Sequence, residues 1–207
     1  MRPPFLCGTA ALGCSLFSII LPMETFYYSR MDSPAGPLLI AMSEKGLVAL
    51  EFDRGQDLRK KKSVQWVESE GRTARVRREL EEYFAGKRKE FTFPLDLRGT
   101  EFQKRCWNAL LAIPYGETRS YAEQARVVGS PNGFRAVGMA NGDNPIAIVV
   151  PCHRVITSGG KLGGYGGGLD LKEKLLKLEG AEWPKQGRLR LGDIPTVGCR
   201  GEVPKGT

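Results

Sequence analysis

The sequence predicts an α+β fold: a small amino-terminal β-sheet-plus-helix unit, then a mostly helical carboxy-terminal unit. Three observations carry this. Strand-length apolar runs split by turn residues fill positions 25 to 53. Helical spacing with capping residues dominates positions 100 to 143. A single continuous apolar run, "IAIVV", leads directly into "PCHRV".

Taken in order, "FYYSRMDSPAGPLLIAMSEKGLVALEF" holds short strands separated by the turn sequences "SPAG" and "SEKG". A polar stretch follows. "TARVRRELEEYFAGK" is an amphipathic helix with Val76, Leu80 and Tyr83 or Phe84 on one face and Gly86 as its stop. "RKEFTFPLDLRG" is extended and closes the first unit. "TEFQKRCWNALLAIPYGE" begins with Thr100 as cap, repeats Phe102, Cys106 and Leu110 at helical spacing, and ends before Pro114. "SYAEQARVVG" opens on the capping box Ser120 and Glu123 and closes at Gly129. "SPNGFRAVGMANGD" starts again, with Ser130 as cap and Pro131 at the first helical position. Two short helices joined by a glycine-containing turn outline a helix-turn-helix, or else an ordinary helical hairpin.

The second of these helices carries Gly133, Ala136, Gly138 and Ala140 around Arg135. Small side chains allow close approach to a neighbouring helix or to a ligand. "IAIVV" reads as a fully buried strand ending at Cys152. "GGKLGGYGGG" lacks the lysine-serine or lysine-threonine of a phosphate loop, and the dinucleotide pattern fails at Leu169. It is a close-approach loop carrying Tyr165. "LDLKEKLLKLEG" is a helix with Leu171, Leu175 and Leu178 apolar and Glu179 just before Gly180. The expected division is 1–22, a doubtful extension or signal-like segment; 23–97 and 98–183, two units; and 184–207, a flexible basic tail.

A formal net charge of +8 over 207 residues suggests a polyanionic partner, either nucleic acid or an acidic surface, or else simply a soluble basic protein, and charge alone does not choose between them. Five widely spaced cysteines form no disulfide framework, and one histidine cannot complete a zinc set, so no metal is expected and a reducing cytoplasm fits.

His153 is the only histidine, and it follows Cys152 directly. A thiol at the end of a buried run is desolvated, so its pKa rises and a base is needed to form the nucleophilic thiolate. His153 is the one imidazole available. Neighbours in sequence seldom face each other, so a water between the two is the expected link. The histidine in turn needs an acceptor to set its tautomer. The alternative is an inert buried cysteine. A cysteine hydrolase would want a histidine from elsewhere in the chain, and none exists.

"YGETRSYAEQA", "FRAVGMANGDNP", "IVVPCHRV", "GGYGGG" and "KEKLLKLEG" together resemble the O6-alkylguanine-DNA alkyltransferase family, densely from about Phe102 to Gly180 and more loosely over positions 23 to 95. Residues 1–22 match nothing in that family, which favours Met23 as the functional start. The resemblance implies a winged-type helix-turn-helix in the second unit, with an active-site cysteine behind it. It implies irreversible transfer of a methyl or alkyl group from O6 of guanine, and possibly O4 of thymine, to Cys152. The turnover is single, needs no cofactor, and follows flipping of the base out of double-stranded DNA.

The implied relay is Glu179, His153, a water and Cys152. Asn144 braces the turn, Tyr121 helps rotate the nucleotide, and Arg135 fills the gap in the stack. Gly133, Ala136 and Gly138 bring the helix close to the minor groove. Pro151, Val155, Tyr165 and Gly166 form the pocket, with the Gly166 amide facing O6. The implied protein is a cytoplasmic monomer with no membrane association. Three departures stand out: Phe134 and Met139 are bulky at the groove face, and Ala147 replaces a proline at the pocket edge.

Overall fold

The computed structural model describes residues 23–55 and 64–183. The flanking segments 1–22 and 184–207, on which a leader and a basic tail are expected, lie outside the described residues.

Strands β1 (Glu24–Met31), β2 (Leu38–Met42), β3 (Leu47–Phe52) and β4 (Val64–Glu68) form one sheet in the order β3-β2-β1-β4. β1 and β2 are antiparallel, with Ser29 opposite Ile40, and β2 and β3 are antiparallel, with Ile40 opposite Leu50. β4 joins the edge in parallel with β1, Phe26 opposite Trp66. This strand falls in the stretch expected to be merely polar. Its only large apolar side chain, Trp66, packs with Phe26, Ala41 and Val48 on the sheet face away from the helix, so alternation over five residues was too thin a signal.

Helix α1 (Glu70–Phe84) covers the other face, capped by Ser69, whose side chain accepts from the Arg72 amide. Val76, Leu80 and Tyr83 are buried beneath it, and Gly86 leaves the helix at φ 70°.

The second half is built on three helices: α2 (Glu101–Leu111), α3 (Tyr121–Val127) and α4 (Phe134–Gly142). Thr100 and Gln103 form a full capping box on α2, as do Ser120 and Glu123 on α3. The small core between these helices holds Cys106, Ala109, Ala125, Val128, Val137 and Ala140. A reciprocal amide pair, Gln124 with Asn141 at 2.7 and 3.0 Å, and Trp107 Nε1 donating to the Ala140 carbonyl at 2.8 Å, lock α4 in place.

Ser130 is not the cap of α4. Residues 130 to 133 form a turn closed by the Gly133 amide on the Ser130 carbonyl at 2.7 Å, and the helix begins at Phe134 with no side-chain cap. A Cβ on Gly133 would lie 2.2 Å from Ser130 Oγ. A larger residue here would force Ser130 to move, so the turn itself favours glycine.

Beyond α4, Ile146, Ile148, Val149 and Val150 are buried as expected and Ala147 only partly, but the run does not make a strand. The Val149 amide reaches back to Ala147 at 2.8 Å and the Val150 amide to Ile146 at 3.0 Å, so the run coils. Ile148 sits at φ 70°, a conformation that costs a β-branched residue about 1–3 kcal/mol and persists only where the surroundings enforce it.

A short 3-10 turn (Cys152–Arg154) follows, then β6 (Val155–Ile156), paired in parallel with β5 (Arg119–Ser120) beside the helix-turn-helix. Helix α5 (Leu169–Leu178) closes the fold. The main core is continuous across both halves, with Leu38, Ile40 and Leu80 packed in one cluster with Ile146, Val150 and Leu175. Among the described residues no helix is long and apolar enough to cross a membrane.

Candidate active site

The coiled segment is held by one side chain. Asn144 Oδ1 accepts from the Ile146 amide at 3.0 Å, and its Nδ2 donates to the Val150 carbonyl at 2.8 Å and towards Cys152 Sγ at 3.4 Å. Asn144 therefore shapes the turn that enforces Ile148 and also places an N–H against the sulfur. Burial raises the Cys152 pKa, while this N–H and the charge of Lys172 oppose the rise.

Behind the thiol, the 3-10 turn sends His153 inward, fully enclosed, with Nε2 2.8 Å from Glu179 Oε1. Glu179 is the C-cap of α5 and is itself buried. Arg154 donates to both its oxygens at 2.8 and 2.9 Å and to the Ile113 carbonyl at 2.6 Å. Tyr83, from α1, donates to Oε1 at 2.7 Å.

Burial alone would raise the Glu179 pKa; hydrogen bonds and charge from His153 and Arg154 hold it at about 2. Burial pushes the His153 pKa below its ordinary value, against the pull of Glu179. The consistent state at neutral pH is an ionised glutamate, paired by Arg154, beside a neutral imidazole. An ionised carboxylate only accepts, so Nε2 carries the proton and Nδ1 carries a free lone pair. Nδ1 is buried with no hydrogen-bond partner among the described residues. The arrangement is a base whose proton-accepting atom has been left open.

Two adjoining cavities meet at Cys152. One, of about 230 Å³, lies under α4 and is lined by Tyr121, Gly138 and Gly164. The other, of about 170 Å³, runs towards β3 and is lined by Phe52, Arg54, Asn144 and Ala147. Tyr165 and Gly166 border both. Ala147 thus stands at the pocket edge, where the small side chain leaves it open. Tyr121 Oη donates to the Gly164 carbonyl at 3.3 Å, and its ring is 3.0 Å from where a Cβ on Gly163 would sit. Gly163, at φ 69°, is required twice over.

The structure brings Cys152, Asn144, Tyr121, Tyr165 and Gly166 together at these cavities, with His153 and Glu179 behind the thiol. It does not bring Pro151 and Val155 to them. Pro151 lines a separate cavity of about 270 Å³ on the far side, next to Arg154. Val155 is fully enclosed in the main core, and it is β6 pairing that takes it there. Arg135 and Ala136 are exposed on the outer face of α4, flanked by the exposed apolar side chains of Phe134 and Met139, and a Cβ on Gly138 would lie 3.8 Å from the Tyr121 ring.

Sequence reasoning missed four contributors. Arg154 was visible in "PCHRV" but carried no signal of burial. Tyr83 lies 96 residues from Glu179. Arg54, which donates to the Gly166 carbonyl at 2.7 Å, and Lys172, which donates to the Val155 carbonyl, were given no role by the sequence. Among the described residues no cluster of histidine, cysteine or carboxylate groups is suited to hold a metal ion.

A helix-turn-helix set over a pocket that ends in a thiol, with a buried histidine–glutamate pair next to it in the chain's fold, defines the class: a DNA-associating protein whose reactive group is its own cysteine. The chain belongs to the 6-O-methylguanine DNA methyltransferase family, whose DNA binding domain matches residues 101–181 and whose ribonuclease-like domain matches residues 26–97. It is 55% identical over 159 residues to a methylated-DNA–protein-cysteine methyltransferase of Methanosarcina acetivorans, covering 75% of this chain and 99% of that one. It is 49% identical over 158 residues to the protein of that name from Mycobacterium tuberculosis, covering 76% and 94%. A crystal structure of Mycobacterium tuberculosis OGT in complex with DNA superimposes with a TM-score of 0.68 at 50% identity, covering 75% of this chain and 92% of that one.

Proposed function

We infer that this chain repairs double-stranded DNA by moving a methyl or alkyl group from O6 of guanine, and from O4 of thymine where that lesion fits, irreversibly onto its own Cys152. The observation that carries this reading is a thiol lining the cavity under α4 and followed in the chain by a buried His153, whose Nε2 is held by Glu179 and whose Nδ1 has no hydrogen-bond partner among the described residues.

An O6 atom inside a duplex cannot reach a buried sulfur, so the nucleotide is flipped out, at a cost of a few kcal/mol. Arg135, exposed on α4, enters the vacated stack, and Gly133, Ala136 and Gly138 keep the helix backbone near the minor groove. Tyr121 and the Gly166 amide hold the flipped base. The Cys152 proton passes through a water to His153 Nδ1. The thiolate attacks the alkyl carbon, a carbon–sulfur bond forms, and the bond from that carbon to O6 breaks. The guanine takes up a proton as it leaves, and Cys152 keeps the group as a thioether. No cofactor takes part, and the protein is consumed. Residues 98–183 carry the DNA contact and the chemistry, and residues 23–97 support the pocket. The reaction needs a reduced thiol, for which the cytoplasm is the fitting compartment, and the chain acts as a monomer.

The test is intact mass after incubation with a duplex holding one O6-methylguanine, followed by peptide mapping. The expected result is one added methylene mass on the Cys152 peptide and no second turnover. An unchanged mass with the duplex still bound would make the chain a lesion sensor instead.

A further inference from the structure

Among the described residues, Phe134 is the one aromatic side chain that stands exposed, at 49%. An apolar residue alone on a surface needs no explanation, but this one is placed. It is the first residue of α4, set there by the turn that the Gly133 amide closes on the Ser130 carbonyl. Residues four apart share a stripe of a helix. Phe134 therefore shares a stripe with Gly138, which lines the cavity that reaches Cys152, and it stands about 6 Å further out along the axis. Arg135 shares the adjacent stripe with Met139, which is 72% exposed. The ring thus sits at the outer edge of the cavity-lining stripe, beside the arginine and not behind it.

The end of the helix indicates what the ring meets. The first turn of α4 holds no acidic residue, and no side chain caps it. Its first amides present partial positive charge outward, which suits phosphates. The surface is also continuous with the DNA face that carries Arg135. Gly133 and Ala136, on either side, are small, so the ring projects from a low surface. A minor groove about 6 Å wide does not admit a phenyl ring beside a helix backbone unless the duplex opens locally. Apolar side chains brought to the minor groove in this way enter between base pairs, unstack them and bend the duplex.

We propose that Phe134 is a second wedge beside Arg135, its ring entering against the base next to the flipped nucleotide on the strand that feeds the cavity. The proposal rests on the alkyl-transfer reading and deepens it. Arg135 fills the vacated place in the stack, and Phe134 holds the neighbouring step open. The ring makes and breaks no covalent bond. It exchanges contact with water for contact with a base, which offsets part of the unstacking cost.

The experiment compares the full chain with Phe134→Ala, Phe134→Leu and Met139→Ala. Three readouts are taken: the single-turnover rate at saturating O6-methylguanine duplex, the duplex Kd, and the fluorescence of a 2-aminopurine placed next to the lesion. Phe134→Ala is expected to slow transfer from duplex about tenfold and to raise Kd only about threefold, because the ring engages once the base has left the stack. The 2-aminopurine brightening on binding is expected to fall with the rate. Phe134→Leu keeps an apolar wedge and is expected to retain more of both. Met139→Ala, on the adjacent stripe, is expected to change the rate less than about twofold. Thermal unfolding is expected to stay near wild type in all three, since each side chain is exposed.

An unmoved rate and unmoved fluorescence in Phe134→Ala overturn the proposal. Equal losses in Phe134→Ala and Met139→Ala also overturn it, since the effect would belong to the apolar face at large. So does loss of self-association in sedimentation with duplex kinetics unchanged, which would turn the ring towards a second copy of the chain. A wild-type chain that accepts no methyl group would overturn the transfer reading, while the 2-aminopurine signal, which needs no chemistry, would still decide whether Phe134 opens the step.

Discussion

Two buried carboxylates, one in each half of the molecule, have nearly the same surroundings and very different consequences. Glu79, on α1, accepts from the Thr92 amide at 2.8 Å and hydroxyl at 2.7 Å, and from Arg75 at 3.2 Å, with Arg88 3.4 Å away. Glu179 accepts from Tyr83, His153 and Arg154. Burial would raise the pKa of each, and hydrogen bonds from donors outweigh it in both. The difference lies one atom further out. Every group around Glu79 ends in the fold, pinning the 88–92 segment to α1. One group around Glu179, the imidazole, has a far nitrogen with no hydrogen-bond partner among the described residues. Burial of charge therefore does not mark function here; the unsatisfied atom at the end of a satisfied network does.

The largest expected effect removes the acceptor and leaves both carboxylate networks intact. Cys152→Ala is expected to abolish methyl transfer while thermal unfolding stays within a few degrees of wild type and duplex affinity is kept. Parallel loss of transfer and DNA binding in a gel-shift assay would mean that the cysteine is structural.

Next comes the direct contrast. Glu179→Gln leaves Arg154 buried without its anion, costing about 3–5 kcal/mol, and frees the imidazole tautomer, so transfer is expected to fall at least about a hundredfold. Glu79→Gln is expected to cost about 1–3 kcal/mol and leave the single-turnover rate of the folded protein unchanged. Chemical denaturation alongside quench-flow separates the two quantities. A rate loss of equal size in both variants breaks the comparison.

A smaller effect follows from pH. The folded Glu179 titrates at about 2, below its ordinary value of 4.5, so its contribution is fully present above 4.5 and is lost as pH falls from there through about 2. The acid limb of a stability-versus-pH curve is expected to flatten in Glu179→Gln, and an unaltered limb would assign acid sensitivity to other carboxylates.

The smallest effect lies outside both networks. Arg135→Ala is expected to slow transfer from duplex while transfer from a free O6-alkylguanine base stays near wild type. Equal slowing on both substrates would count against a role in flipping.

Much of this was legible because the deciding interactions are local. The cap at Thr100, the capping box at Ser120, the stop at Gly86 and the apolar spacing of α2 and α5 depend on residues close in the chain, which sequence displays directly. The adjacency of Cys152 and His153 was legible in the same way, whereas Asn144 and Glu179 were singled out only by the family resemblance, Glu179 lying 26 residues from the histidine it meets. Ser130 and the run 146–150 were misread because a cap or a strand can be written with residues that instead make a turn, and only the surroundings choose.

What tertiary structure alone decided is who meets whom across distance. The Asn144 bonds hold Ile148 at a positive φ that no β-branched residue takes unaided. Tyr83 reaches Glu179 from another half of the chain, Arg154 turns inward to neutralise it, and Lys172 folds under the pocket wall. Charged side chains look alike in sequence whether solvated or buried. Their burial is set by the packing of a core shared between both halves, and that core exists only once the chain has folded.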